Sequence, residues 1–372
     1  MSINRRDFLK LSTGMLLATG PMGPVFAKNN VYHLLSCRSD THGKHHLSAI
    51  SPEGKLQFDV SLPGRGHGIC VKSDNSQCVV FARRPNDFMW VVDMDNGKVL
   101  HQLTSPEGRH YFGHGAFEPQ GRLLYVTENA YDEGRGVIGV YDAADNYKRL
   151  GELPSHGIGP HELKFLTDGK TLVIANGGIF THPDSGRSKL NLADMNPNLA
   201  YIDSTDGRLL GLYRPPSEWH QLSIRHLDVA ADDKVCIAMQ FQGRLKQYPP
   251  LIALHQGQDY LQLLSAPAQI QKRMRNYCGS VTCDHSGQLF AVSSPRGNLL
   301  TLWSVNDGKL LNTIEYTDGC GLARNTKAGH FYASNGLGRI AQIGFPDSAQ
   351  AGTGHDWAGW RWDNHMLAVA FS

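Results

Sequence analysis

The chain has 372 residues, 36 Lys and Arg against 34 Asp and Glu for a formal net charge of +2, 41% apolar and 19% charged residues. That balance fits a folded protein and gives no electrostatic reason to expect a nucleic acid or an anionic membrane surface as partner. Forty glycines, spread over regular turn positions instead of one low-complexity tract, favour many short strands over long helices.

Residues 1–27 read as an export signal. Asn4-Arg5-Arg6-Asp7-Phe8-Leu9-Lys10 resembles the twin-arginine motif, an uncharged segment follows from Leu11 to Phe26, and Val25-Phe26-Ala27 resembles a signal-peptidase site. No other segment reaches ~18 consecutive apolar residues, so no membrane span is expected. The expectation is a soluble periplasmic protein whose folded part is residues 28–372. Twin-arginine substrates cross the membrane folded, which fits either cofactor insertion before export or simply early folding.

Three strands are predicted next, Val31–Cys37, His46–Ile50 and Leu56–Leu62, with a turn at Pro52-Glu53-Gly54. A repeat then begins. Gly66-His67-Gly68 opens a short apolar strand, and the pattern returns at His114, His161, His226 and His365. The interval is 47 residues from His67 to His114 and 47 again to His161; the 65 residues to His226 hold an insertion. Each unit continues with a turn such as Gln120-Gly121 or Asp168-Gly169, a second apolar strand (Cys78 to Ala82, Leu123 to Val126, Leu172 to Ala175, Phe290 to Ser293), a third ending in an Asp/Asn-Gly turn, and a fourth. Two further units start at Gly279 and Gly321 in place of histidine. Four strands in about 40–47 residues is the period of a β-propeller blade. Residues 365–371 supply one strand with nothing after it, and residues 31–62 supply three that lack a first. Pairing them gives an all-β, seven-bladed propeller closed between the C-terminal strand and the three N-terminal strands, with no exposed sheet edge at the join.

The first strand of a propeller blade lines the central channel, so residues in one register form a ring around its mouth. Five of seven slots here are histidine, and neutral imidazole is a common ligand for iron, copper and zinc. His67, His114, His161, His226 and His365 are therefore candidate metal ligands. Cys278 and Cys320, which precede the two glycine slots, are further candidates, as thiolates or as a disulfide pair. The competing reading is the Gly-His pair of WD-type propellers, which only ties blade to blade, although Val92-Asp93, Tyr141-Asp142 and Ile202-Asp203 stand where that repeat has Trp-Asp. The insertion from Asn176 to Leu199 is long and polar, and His182, Arg187 and Asn191 in it, with Arg109, His156 and Arg225 before the histidine slots, are candidates for binding a ligand or cofactor. A funnel of cations and imidazoles suits a metal, a metal chelate or a small acidic ligand. No nucleophile elbow, phosphate-binding loop, His-Glu-x-x-His or Cys-x-x-Cys is present. Whether the protein is an enzyme is left open.

The blocks Asn176-Gly177-Gly178, Thr181-His182-Pro183-Asp184-Ser185-Gly186-Arg187, Lys189-Leu190-Asn191-Leu192, Ser223-Ile224-Arg225-His226-Leu227 and Trp362-Asp363-Asn364-His365-Met366 resemble the DUF1513 family of exported bacterial propeller-like proteins. Genes of that family often neighbour imelysin-type lipoproteins, so the resemblance implies metal handling or iron uptake in the periplasm, with imelysin-like proteins as partners; it assigns no activity. Three roles follow as expectations: binding of a transition metal, iron or copper, or of a metal-bearing ligand; a non-catalytic scaffold for such partners; or a metal-dependent oxidoreductase. The histidine-built copper cluster of nitrous-oxide reductase, at the mouth of another seven-bladed propeller, is similar in architecture only. It uses seven such histidines and a second copper domain.

Overall fold

The computed structural model describes residues 31–244, 246–346 and 351–371; the expected export signal, 1–27, lies outside them. Among the described residues, the strands form seven four-stranded antiparallel sheets. The first blade is Gly66–Val71, Gln77–Ala82, Met89–Asp93 and Val99–Leu103. The second is His110–Phe117, Leu123–Ala130, Arg135–Asp142 and Lys148–Pro154; the third is Pro160–Phe165, Thr171–Asn176, Asn198–Asp203 and Leu209–Tyr213. The fourth is Leu222–Val229, Val235–Phe241, Ile252–His255 and Gln262–Leu264; the fifth is Ser280–Cys283, Leu289–Ser294, Leu299–Ser304 and Leu310–Glu315. The sixth is Gly319–Arg324, His330–Asn335, Arg339–Gly344 and Gly354–Asp356. The seventh combines Arg361–Phe371 with Val31–Ser39, His45–Ile50 and Leu56–Leu62, in that spatial order. Its closing pair runs antiparallel from Val31 opposite Phe371 to Ser39 opposite Arg361.

Each innermost strand packs against the next around the ring. The second strands are buried on both faces because each sits between neighbouring blades, which is why Val79-Val80-Phe81 and Val235 to Met239 are apolar without a period-two alternation. Outer strands alternate, as Leu56–Leu62 does with Phe58, Val60 and Leu62 inward. The core is a circle of inter-blade layers. Val79, Phe81 and Val91 meet Leu124 and Tyr141 between the first two blades, and Leu34 and Ile50 meet Tyr332 and Ile340 between the sixth and seventh. Burying a Val, Leu or Phe side chain contributes about 1.5–3 kcal/mol, so each layer glues two blades. The turn in Asp168-Gly169 is one where a left-handed residue is needed, and Gly169 has φ +64°. One short helix, Ala268–Arg273, precedes the fifth blade. No helix among the described residues is long and apolar enough to cross a membrane.

Candidate metal centre and its funnel

The inner strands are not regular where the histidines sit. In the first blade Gly66 pairs with Ala82 and Ile69 with Val80, so His67 and Gly68 together face a single residue. Three residues, including His114, bulge between Tyr111 and Gly115; His161 is the extra residue between Pro160 and Glu162. Arg225 is the extra residue before His226, and Asp363 to His365 bulge opposite Cys37. A bulge bends its strand and re-aims its side chains. Here five bulges aim five imidazoles into one channel. The sixth blade bulges too, around Cys320 and Gly321.

The flanking glycines explain the Gly-His-Gly motif. A Cβ on Gly68 would lie 2.4 Å from the Gly113 carbonyl oxygen and 2.8 Å from His114 Nδ1, and one on Gly113 would lie 2.6 Å from His67 Cδ2. Only glycine lets the first two blades approach closely enough for these rings to touch.

Ring centroids are 4.9 Å apart for His67 and His114, 5.0 Å for His114 and His161, and 4.8 Å for His161 and His226. They are 4.8 Å apart for His226 and His365 and 4.5 Å for His365 and His67. The five rings thus form a closed cycle. Two sets have their ligand nitrogens all within 4.8 Å of one another: His67, His114 and His161, and His114, His226 and His365. Three nitrogens held by one ion at ~2.1 Å lie about 3.4–3.6 Å from one another, so a bound ion would draw each set inward by up to about 1.4 Å.

Burial pushes the pKa of all five imidazoles down. His67 falls to about 4 even though Asp363 pulls it upward. His114, His161 and His365 lie well below the ordinary value, each lowered further by the neighbouring imidazoles, while Glu162 limits the fall at His226. At neutral pH the cluster is uncharged, with lone pairs to donate. His114 Nε2 and His365 Nε2 are buried without a hydrogen-bond partner, a costly state for a polar nitrogen of about 1–3 kcal/mol each. A metal ion would satisfy both.

Two carboxylates orient the cluster. Glu162 Oε2 accepts a hydrogen bond from the Leu227 N–H at 3.3 Å and lies 3.2 Å from His226 Nδ1, while Oε1 lies 3.8 Å from His114 Nδ1. A proton on His226 Nδ1 directed at Glu162 leaves Nε2 as the ligand atom, the carboxylate–histidine arrangement of many metal sites. Burial raises the Glu162 pKa, but His226 and Lys164, 3.7 Å away, bring it below the usual carboxylate value. Asp363 lies 3.6 Å from His67 Nδ1 and is held ionised by Arg65 Nε at 2.5 Å and Arg83 Nη1 at 3.2 Å.

The histidines separate two cavities. On one side is a funnel of about 190 Å³ bordered by His67, His161 and His226 and by six cations, Arg83, Arg84, Arg187, Lys189, Arg225 and Arg296. Burial and the neighbouring guanidiniums hold Arg84 down to about 10; burial and the same kind of repulsion do so for Arg225, against an opposing pull from Tyr277. On the other side is a cavity of about 320 Å³ bordered by His114, His365, Glu162, Lys164, Asp228 and Arg324. The histidines therefore lie within the channel, beneath its cationic mouth.

The remaining sequence candidates disperse. Arg187 and Arg225 line the funnel. His182 lines an adjoining cleft with Arg84 and His110. Asn191 braces the insertion, accepting from Phe180 N at 2.7 Å and donating to Gly178 O at 2.9 Å. Arg109 joins an ion-pair network with Glu133 and Glu152, and His156 bonds Gly207 O at 2.9 Å; neither borders the funnel. Cys278 is packed in the core, its thiol pushed up to about 12 by burial, and belongs to neither histidine set. The Cys320 thiol donates to Asp318 O at 3.0 Å beside a different cavity, and all seven cysteines are unpaired thiols. Sequence reasoning passed over Glu162, Asp363, Arg83, Arg84 and Arg296. Glu162 and Asp363 stand within two residues of a histidine slot, and the three arginines follow second strands, in the loops facing the channel.

Over residues 60–369 the sequence matches the family described as "Protein of unknown function (DUF1513)". No curated protein matches it. Among solved structures, Kuenenia stuttgartiensis hydrazine synthase superposes with a TM-score of 0.63 at 14% identity, covering 88% of this chain and 100% of that one. A chain of a mitotic checkpoint complex superposes at 0.57 and 12% identity, covering 91% of this chain and 86% of that one. At these identities the likeness is one of fold alone.

Proposed function

The chain belongs to the DUF1513 family, and from the chemistry of its channel we propose that it is a periplasmic metal-binding propeller, taking up iron or copper, or a ligand carrying one, in metal uptake or handling. The observation that carries this reading is the convergence of five uncharged imidazoles, two of them with buried nitrogens that no protein group satisfies. Nitrogen-only sets of this kind suit iron, copper and related ions. Glu162 and Asp363 would fix ring orientation, and the burial of the site would keep competing water out. Export through the twin-arginine route fits a protein loaded after folding.

The test is elemental analysis of the protein expressed with its signal segment and recovered from the periplasmic fraction. The expected result is about one equivalent of iron or copper, lost in His114→Ala/His161→Ala with an unchanged circular dichroism spectrum. A metal-free protein that still captures an imelysin-type partner, equally well in the double variant, supports the scaffold role instead. Recovery from the cytoplasm alone refutes the assigned compartment.

A further inference from the structure

The funnel above the histidines has a charge problem. Six cations border it and no carboxylate does. Among the described residues, Arg83 has Asp363 as a counter-charge, but Asp363 lies below, already shared with Arg65. Arg84 and Arg296 rest on aromatic faces, 4.9 Å from the Phe112 centroid and 4.2 Å from that of Tyr277. Lys189 donates to the neutral Gln242 amide oxygen. Arg225 Nε is buried with no hydrogen-bond partner. Arg187, Lys189 and Arg296 are exposed, whereas Arg84 and Arg225 are half-buried with no carboxylate on the funnel wall, a costly state that a bound anion would offset.

We propose that the funnel binds a small polycarboxylate anion, held by Arg84, Arg187, Arg225 and Arg296, which brings its chelated metal down onto His67 and His161. Size and geometry select the class. A funnel of about 190 Å³ has room for a di- or tricarboxylate. Five of the six cations are arginines, whose planar forks pair with carboxylates two bonds at a time. His67, His161 and His226 share the cavity with those arginines, so one ligand reaches both groups. Delivery of the metal rests on the reading in the preceding section; the anion site does not.

Titration calorimetry of the chelator-stripped exported protein with citrate, and separately with inorganic phosphate, tests this. Citrate is expected to bind once per chain and to weaken at least tenfold in Arg187→Gln/Arg296→Gln. Absence of citrate binding, equal affinity in a folded Arg187→Gln/Arg296→Gln protein, or phosphate binding as tight as citrate would each overturn the proposal. Citrate binding to a wild-type protein that takes no metal supports the anion site and sinks the metal reading alone. Metal uptake without citrate binding does the reverse.

Discussion

His67 allows the electrostatics of the cluster to be tested without any metal. Its pKa is about 4 in the folded protein against 6.5 for the free side chain, because burial disfavours the charged ring. Below pH 6.5 the unfolded chain therefore binds a proton at this position that the folded chain refuses, and stability must fall as the pH drops from 6.5 towards 4. Integrated between pH 7 and about pH 4.5, that single difference removes about 2 kcal/mol. Carboxylates add their own acid dependence, so the quantity to measure is a difference. Urea unfolding of metal-free wild type and His67→Gln, followed by tryptophan fluorescence at both pH values, should show the variant losing about 2 kcal/mol less than the wild type. Parallel losses, within about 0.5 kcal/mol, would refute the claim that the imidazole is held neutral by its surroundings, and with it the reasoning that the cluster is poised to donate lone pairs.

Glu162→Gln keeps the shape of the side chain but removes the charge that orients His226, so metal affinity in a competition titration against a chromophoric chelator should fall about 10–100-fold with little change in thermal midpoint. Gly68→Ala drives a methyl group into the Gly113 carbonyl and His114, and should both destabilise the fold by at least about 2 kcal/mol and reduce metal content; a variant with normal content and melting would show that the close approach is dispensable. Deleting 361–371 removes the inner strand of the seventh blade and leaves Val31–Ser39 as a bare edge, so the product should aggregate on size-exclusion chromatography instead of eluting as a compact monomer.

Most of the architecture was legible because a propeller writes its period into the chain. Two N-terminal strands were expected within two residues of their observed ends, and the third, Leu56–Leu62, at its observed ends. The unpaired first strand of the seventh blade followed from simple counting. The bulges were not legible, since one extra residue in an apolar strand leaves its hydrophobic pattern almost unchanged, yet they decide where each imidazole points. The charge partners were missed for a related reason. Glu162 looks like an ordinary strand residue until the ring brings His226 beside it from the next blade. Arg109 and His156 were drawn to the funnel by their position before a histidine slot, but the first is captured by Glu152 and the second by a turn carbonyl. Cys278 lies one residue before a glycine slot as expected, and its side chain turns into the apolar layer instead of the channel.

The closing contact sets an order of events during synthesis. Asp363, which steadies His67, is separated from its partner Arg65 by 298 positions along the chain, and His365 belongs to that same late segment. A nascent polypeptide still on the ribosome holds four of the five imidazoles with no ring to gather them. Gathering of the imidazoles and completion of translation are thereby coupled: a chain cut short forfeits its latch and one member of the five-ring cycle in a single stroke.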